Sequence, residues 1–97
     1  MIVATVVGAV LLSFAPCPNQ DLGPSYGCSY FGDGNAPRVY VDPGYPRATR
    51  KFTFRHEIGH LVCQCADEAW ADHYAACRVR HSVLVQARHE GVRTGKC

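Results

Sequence analysis

The chain has 97 residues, 47% of them hydrophobic, and a formal net charge of +2. That length makes one domain, near the lower limit at which a core holds without cross-links, and its arginines and lysines are scattered along the sequence without a basic stripe, which argues against nucleic acid as a partner. Six cysteines in so short a chain predict disulfide staples and an oxidising, extracytoplasmic compartment, although their spacing does not choose the pairs.

The chain opens with an apolar run from Ile2 to Ala15. It is shorter than the roughly 20 residues a membrane-spanning helix needs, so no stable membrane span is expected. It ends Ser13-Phe14-Ala15, a small-x-small pattern like a signal-peptidase site. Residues 1–15 therefore read as a secretory signal ahead of a single domain over 16–97, the alternative being an apolar strand or helix of the domain itself. Next, Tyr26 to Phe31 and Arg38 to Val41 flank the turn residues Gly32-Asp33-Gly34-Asn35, which predicts a β-hairpin. The turn lacks the lysine and following helix of a phosphate loop. Arg38-Val39-Tyr40-Val41 is closed by Asp42-Pro43-Gly44, and a helix is expected from about Pro46 to Cys63.

On that helix Phe52, His56, Gly59, His60 and Cys63 share a face. Within it lies His56-Glu57-Ile58-Gly59-His60. Residues i and i+4 of a helix sit one above the other, so two imidazoles can reach one zinc ion, and the glutamate one step round can face a metal-bound water as general base. Gly59 costs roughly 1 kcal/mol relative to alanine in a helix interior, which implies that another backbone comes close there.

A catalytic zinc needs a third protein ligand and one open position. A second helix is predicted from Asp67 to about Ala87, with Gly91 as its stop, and it places Glu68, Asp72, Ala75, Val79 and Val83 on one face. Two acids at the head of an apolar stripe want a cation or a donor. Glu68 is the candidate third ligand. Asp72, one turn later, either accepts the outer N–H of a ligand histidine or replaces Glu68 at the metal. The plainer reading has Asp67 as N-cap and Glu68 as a first-turn acid favoured by the helix dipole.

His56-Glu57-Ile58-Gly59-His60, followed by Glu68-x-x-Ala71-Asp72-x-Tyr74-Ala75-Ala76 and preceded by Lys51-Phe52-Thr53-Phe54-Arg55, resembles the gluzincin metallopeptidases, most of all the small ImmA/IrrE-like branch. The resemblance covers about Arg38 to Val79. It implies a zincin-like α+β domain, with a small hairpin or sheet packed on the histidine-motif helix and a glutamate-bearing helix behind. By the same resemblance His56, His60 and Glu68 are zinc ligands, Glu57 is the catalytic base, and Arg38 to Val41 is an edge strand that aligns an extended peptide or protein substrate. The seven residues between His60 and Glu68 are fewer than that family uses, so the chain must turn sharply at about Gln64 to Ala66. An extended metzincin motif fits less well, since it wants glycine at the position of Cys63 and His or Asp at that of Ala66.

Other groups were weighed for lesser roles. His73, His81 and His89 read as exposed polar residues, with an oxyanion donor as the alternative. Tyr40, Tyr45 and Tyr74 are core candidates that could donate to a tetrahedral intermediate. Cys63-Gln64-Cys65 with Cys77 could instead hold a structural zinc. That last option belongs to a different function class, a non-catalytic binding module stabilised by disulfides or zinc.

Overall fold

The computed structural model describes residues 10–19 and 25–97. Residues 1–9, which include most of the apolar N-terminal run, lie outside the described residues. The element order is β1 (Leu11–Ser13), β2 (Gly27–Tyr30), β3 (Arg38–Val41), α1 (Arg47–Cys63), α2 (Glu68–Ala76) and α3 (His81–His89). It is an α+β arrangement.

Strands β2 and β3 form the expected hairpin, antiparallel with Cys28 opposite Tyr40. Its turn is fastened by Asp33, whose carboxylate accepts from the Asn35 backbone N–H and the Arg38 guanidinium. That guanidinium, with help from the Asn35 N–H, holds the Asp33 carboxyl down at about 2. On its other side β3 pairs with β1, parallel, with Leu12 opposite Val39. The sheet order is thus β1-β3-β2, which corrects the expectation that Arg38–Val41 is an edge strand. Its Val39 and Val41 are both fully buried, as side chains of a central strand facing a packed helix should be. Strand β1 comes from the apolar run 1–15, whose uniform composition hides a three-residue strand.

Helix α1 is the axis of the molecule. Ile58 joins Leu12, Val39 and Val41 in a cluster under the sheet, while Ala48 and Phe52 pack with Ala75, Ala76, Leu84, Ala87 and Val92 on the helical side. A Cβ placed on Gly59 would lie 3.3 Å from the Ala71 Cα and 3.1 Å from Tyr74 Cδ1. The glycine therefore lets α2 close onto α1, the approach its position implied. Between Gln64 and Ala66 the chain does reverse sharply: Gln64 is left-handed at φ 49°, and the Cys65 N–H reaches the His60 carbonyl.

The second helix predicted over 67–87 is two helices, because α2 stops at Ala76 and the chain restarts at His81 after an extended Arg80. A straight helix of that length would run about 30 Å at 1.5 Å per residue, longer than the roughly 25 Å of α1. Leu84 and Ala87 would overhang. The break folds them back onto Ala48 and Phe52, and α3 ends as expected at Gly91, with the Val92 N–H bonded to the Ala87 carbonyl.

All six cysteines are paired, as Cys17–Cys28, Cys63–Cys65 and Cys77–Cys97. With no free thiol, the alternative of a thiolate-bound zinc at Cys63, Cys65 and Cys77 falls away. Among the described residues no helix is long and apolar enough to cross a membrane.

Candidate metal centre

The centre forms where the C-terminal half of α1 meets the first turn of α2. His56, Glu57 and His60 each offer an atom within 4.8 Å of the others, a group that could hold a metal ion. Across the short turn comes Glu68, capped into place by Asp67, whose carboxylate accepts from the Trp70 N–H at 3.0 Å. Its two oxygens lie 3.0 Å from His56 Nε2 and 2.9 Å from His60 Nε2, and those two nitrogens are 3.1 Å apart. Donors at 2.0–2.1 Å around a tetrahedral ion are separated by about 3.3 Å. The observed separations of 2.9–3.1 Å fall a few tenths of an ångström short of that spacing, with each imidazole facing a different Glu68 oxygen.

The outer hydrogen bonds decide what the inner nitrogens are. His60 Nδ1 is 2.9 Å from the Cys65 carbonyl, which can only accept, so the proton sits on Nδ1. His56 Nδ1 donates in the same way to Asp72 Oδ1 at 2.8 Å. In neutral rings both Nε2 atoms then present lone pairs to each other and to a carboxylate. Such electron-pair donors repel unless a proton or a metal cation lies between them, so the cluster is a place where a metal can take the position of a proton. The chemistry of the donor set, two imidazoles and one carboxylate, suits a divalent transition metal.

Asp72 is buried at the far edge of the His56 ring from Glu68, and its second oxygen accepts from Arg93 Nε at 3.0 Å. Glu57 is buried too. Ser29 on β2 donates to Glu57 Oε1 at 3.0 Å, while Oε2 is 3.9 Å from His56 Nε2. Burial pushes the Glu57 carboxyl above its usual range, partly opposed by the two imidazoles and Ser29. Gly27 makes this contact possible, since a Cβ there would stand 2.5 Å from the Tyr40 carbonyl oxygen and 2.7 Å from Thr53 Cγ2.

A cavity of about 440 Å³ opens over these groups, walled by Tyr26, Tyr45 and Phe52 as well as by His56, Glu57 and Glu68. Of the weighed tyrosines only Tyr45 lines it; Tyr40 packs edge-on against Tyr30, and Tyr74 against Trp70. His73, His81 and His89 are exposed and line none of it. Sequence reasoning missed Ser29, the Cys65 carbonyl and Arg93. Only the first two had a faint signal, in a hairpin strand and a helix end next to the motif. Comparison with known protein families, with curated proteins and with solved structures gave no match for this chain.

Proposed function

We propose that the chain is a zinc-dependent peptidase of zincin-like architecture, acting on peptide or protein substrates. His56, His60 and Glu68 hold the metal in this reading, and Glu57 is the general base. One observation carries it: two imidazole nitrogens and the Glu68 carboxylate converge at about 3 Å from one another, with the buried Glu57 carboxylate beside them in an open cavity. A bound zinc ion would polarise the scissile carbonyl and acidify a water molecule.

The chain's own residues do the rest. Asp72 and the Cys65 carbonyl fix the tautomers of the two imidazoles. Glu57, steadied by Ser29, takes the water's proton and returns it to the departing amine. Strand β2, the edge of the sheet nearest α1 and paired only with β3 among the described residues, supplies free backbone groups along which an extended peptide can align. Three disulfides in so small a domain are consistent with an extracellular protein, and we assign the activity to that compartment.

The test is Glu57→Gln, assayed for zinc content and for cleavage of a fluorogenic peptide library. Zinc should stay bound at wild-type stoichiometry while kcat/KM falls by about 10²–10⁴. His56→Ala and His60→Ala should lose metal and activity together. A Glu57→Gln protein as active as wild type removes the mechanism, and a zinc-loaded wild type that cleaves no peptide leaves the binding-module reading in its place.

A further inference from the structure

On the face of α1 opposite the metal centre lies a second, larger groove of about 700 Å³. Arg47, Arg50, Lys51, Arg55, Arg78 and Arg80 line it. They are six of the chain's ten lysines and arginines, so cations that look scattered in sequence are gathered by the turns of α1 and by the break between α2 and α3. No acidic residue lines the groove, and none of the six forms an ion pair among the described residues. The nearest satisfaction is aromatic or backbone: Arg55 lies over the Phe54 ring, and Arg78 over Tyr74 with one N–H to its carbonyl.

Two further features mark the groove as more than a solvated basic face. The Arg50 Nε is buried and has no hydrogen-bond partner among the described residues, so that guanidinium is not drawn away from the groove by an acceptor on that nitrogen. Apolar side chains, among them Leu12, Phe54 and Val83, line it beside the cations. Five of the six cations are arginines, whose planar forks match carboxylates in pairs.

We propose that this groove docks an acidic peptide segment of a protein partner, its carboxylates spread over the arginines and an apolar side chain seated against the groove's apolar residues. Six unneutralised charges call for a multivalent anion, which a single fatty-acid carboxylate is not. A bilayer presents a plane of headgroups, whereas the cations and apolar side chains here line a concave groove of about 700 Å³ that a protruding side chain can enter. The site is independent of the peptidase reading, since it shares no lining residue with the metal cavity.

The experiment measures fluorescence anisotropy of a labelled dodecapeptide alternating glutamate with leucine and phenylalanine, titrated with the full, disulfide-intact chain. Micromolar binding is expected, at least tenfold weaker for the peptide with glutamine in place of glutamate, and tenfold weaker again when alanine replaces its leucines and phenylalanines. The double variant Arg47→Glu/Arg55→Glu should weaken binding at least tenfold with its circular dichroism and zinc stoichiometry unchanged. No binding, equal binding of the glutamine peptide, or binding that survives charge reversal overturns the proposal. So does co-sedimentation with phosphatidylserine vesicles by a protein that ignores the peptide, which would assign the groove to a membrane surface.

Discussion

At the scale of single residues, the arrangement around His56 makes a quantitative demand on Asp72. Its carboxylate accepts from the imidazole on one oxygen and from Arg93 on the other, so it both orients a donor ring and disposes of a buried charge. Removing such a partner from a metal-bound histidine typically costs 10–100-fold in affinity. Asp72→Ala should therefore bind zinc about 10–100-fold more weakly in a chelator competition, and Asp72→Asn, which keeps one acceptor oxygen, should lose less. Unchanged affinity in Asp72→Ala would mean that the carboxylate serves Arg93 alone. Gly27 is the other residue on which the site leans. Gly27→Ala pushes β2 off α1 against the Tyr40 carbonyl and Thr53, and an overpacked contact of this kind costs about 1–3 kcal/mol. A lower melting temperature together with slower peptide cleavage is expected, because Ser29 moves away from Glu57 with its strand.

At the scale of elements, the joint between α3 and α1 rests on Glu90, which accepts from both the N–H and the hydroxyl of Thr49. Those hydrogen bonds, the Thr49 hydroxyl first, hold the Glu90 carboxyl below its ordinary 4.5. A depressed carboxyl contributes stability that is complete above the unfolded value and is lost as pH falls through the folded one. The melting temperature of Glu90→Gln should therefore lie below that of wild type at pH 7, and the gap should close as both are taken below pH 4.5. A gap independent of pH would show that the ionised form is not what matters. Of the elements, those with local signals were legible in the sequence: the hairpin through its β-branched strands and Gly-Asp-Gly-Asn turn, α1 through its uninterrupted periodicity, and the stop at Gly91. The break at Cys77 to Arg80 was not, since no glycine or proline marks it and the stripe of Ala75, Val79 and Val83 continues in register across it. Strand β1 was legible only as the alternative to a leader, because its pairing with β3 is a long-range event that composition in an apolar run does not report. In the site, His56, Glu57, His60, Glu68 and Asp72 could be picked out in advance because helical spacing reports which side chains share a face, whereas Ser29 and Arg93 arrive from elements distant in sequence.

At the scale of the whole molecule, the core is thin among the described residues: Phe52 is the largest fully buried side chain there, and alanines make up much of the rest. A domain of this size has a total stability of about 5–15 kcal/mol at best, and losing one native disulfide from a small domain removes about 2–5 kcal/mol. The bridges, among them Cys77–Cys97 at the end of α2, are thus comparable to everything the core supplies. Metal adds to the same balance, because an ion that binds only the folded chain contributes about 2.7 kcal/mol at a hundredfold excess over its dissociation constant. For a domain of this length each kcal/mol moves the midpoint by about 4–8 °C. Zinc at that excess should raise the melting temperature of the oxidised protein by about 10–20 °C, and should leave His56→Ala/His60→Ala where it was. With dithiothreitol present the metal-free chain is expected to be unfolded at 37 °C by circular dichroism. The two supports are separable, because the proposed metal ligands sit on α1 and the first turn of α2 while Cys17–Cys28 and Cys77–Cys97 clamp the sheet and the C-terminus. Zinc should therefore rescue helical signal in the reduced protein without restoring the full transition. A midpoint that ignores zinc in the oxidised wild type would remove the metal from the fold's energetics and the peptidase reading along with it.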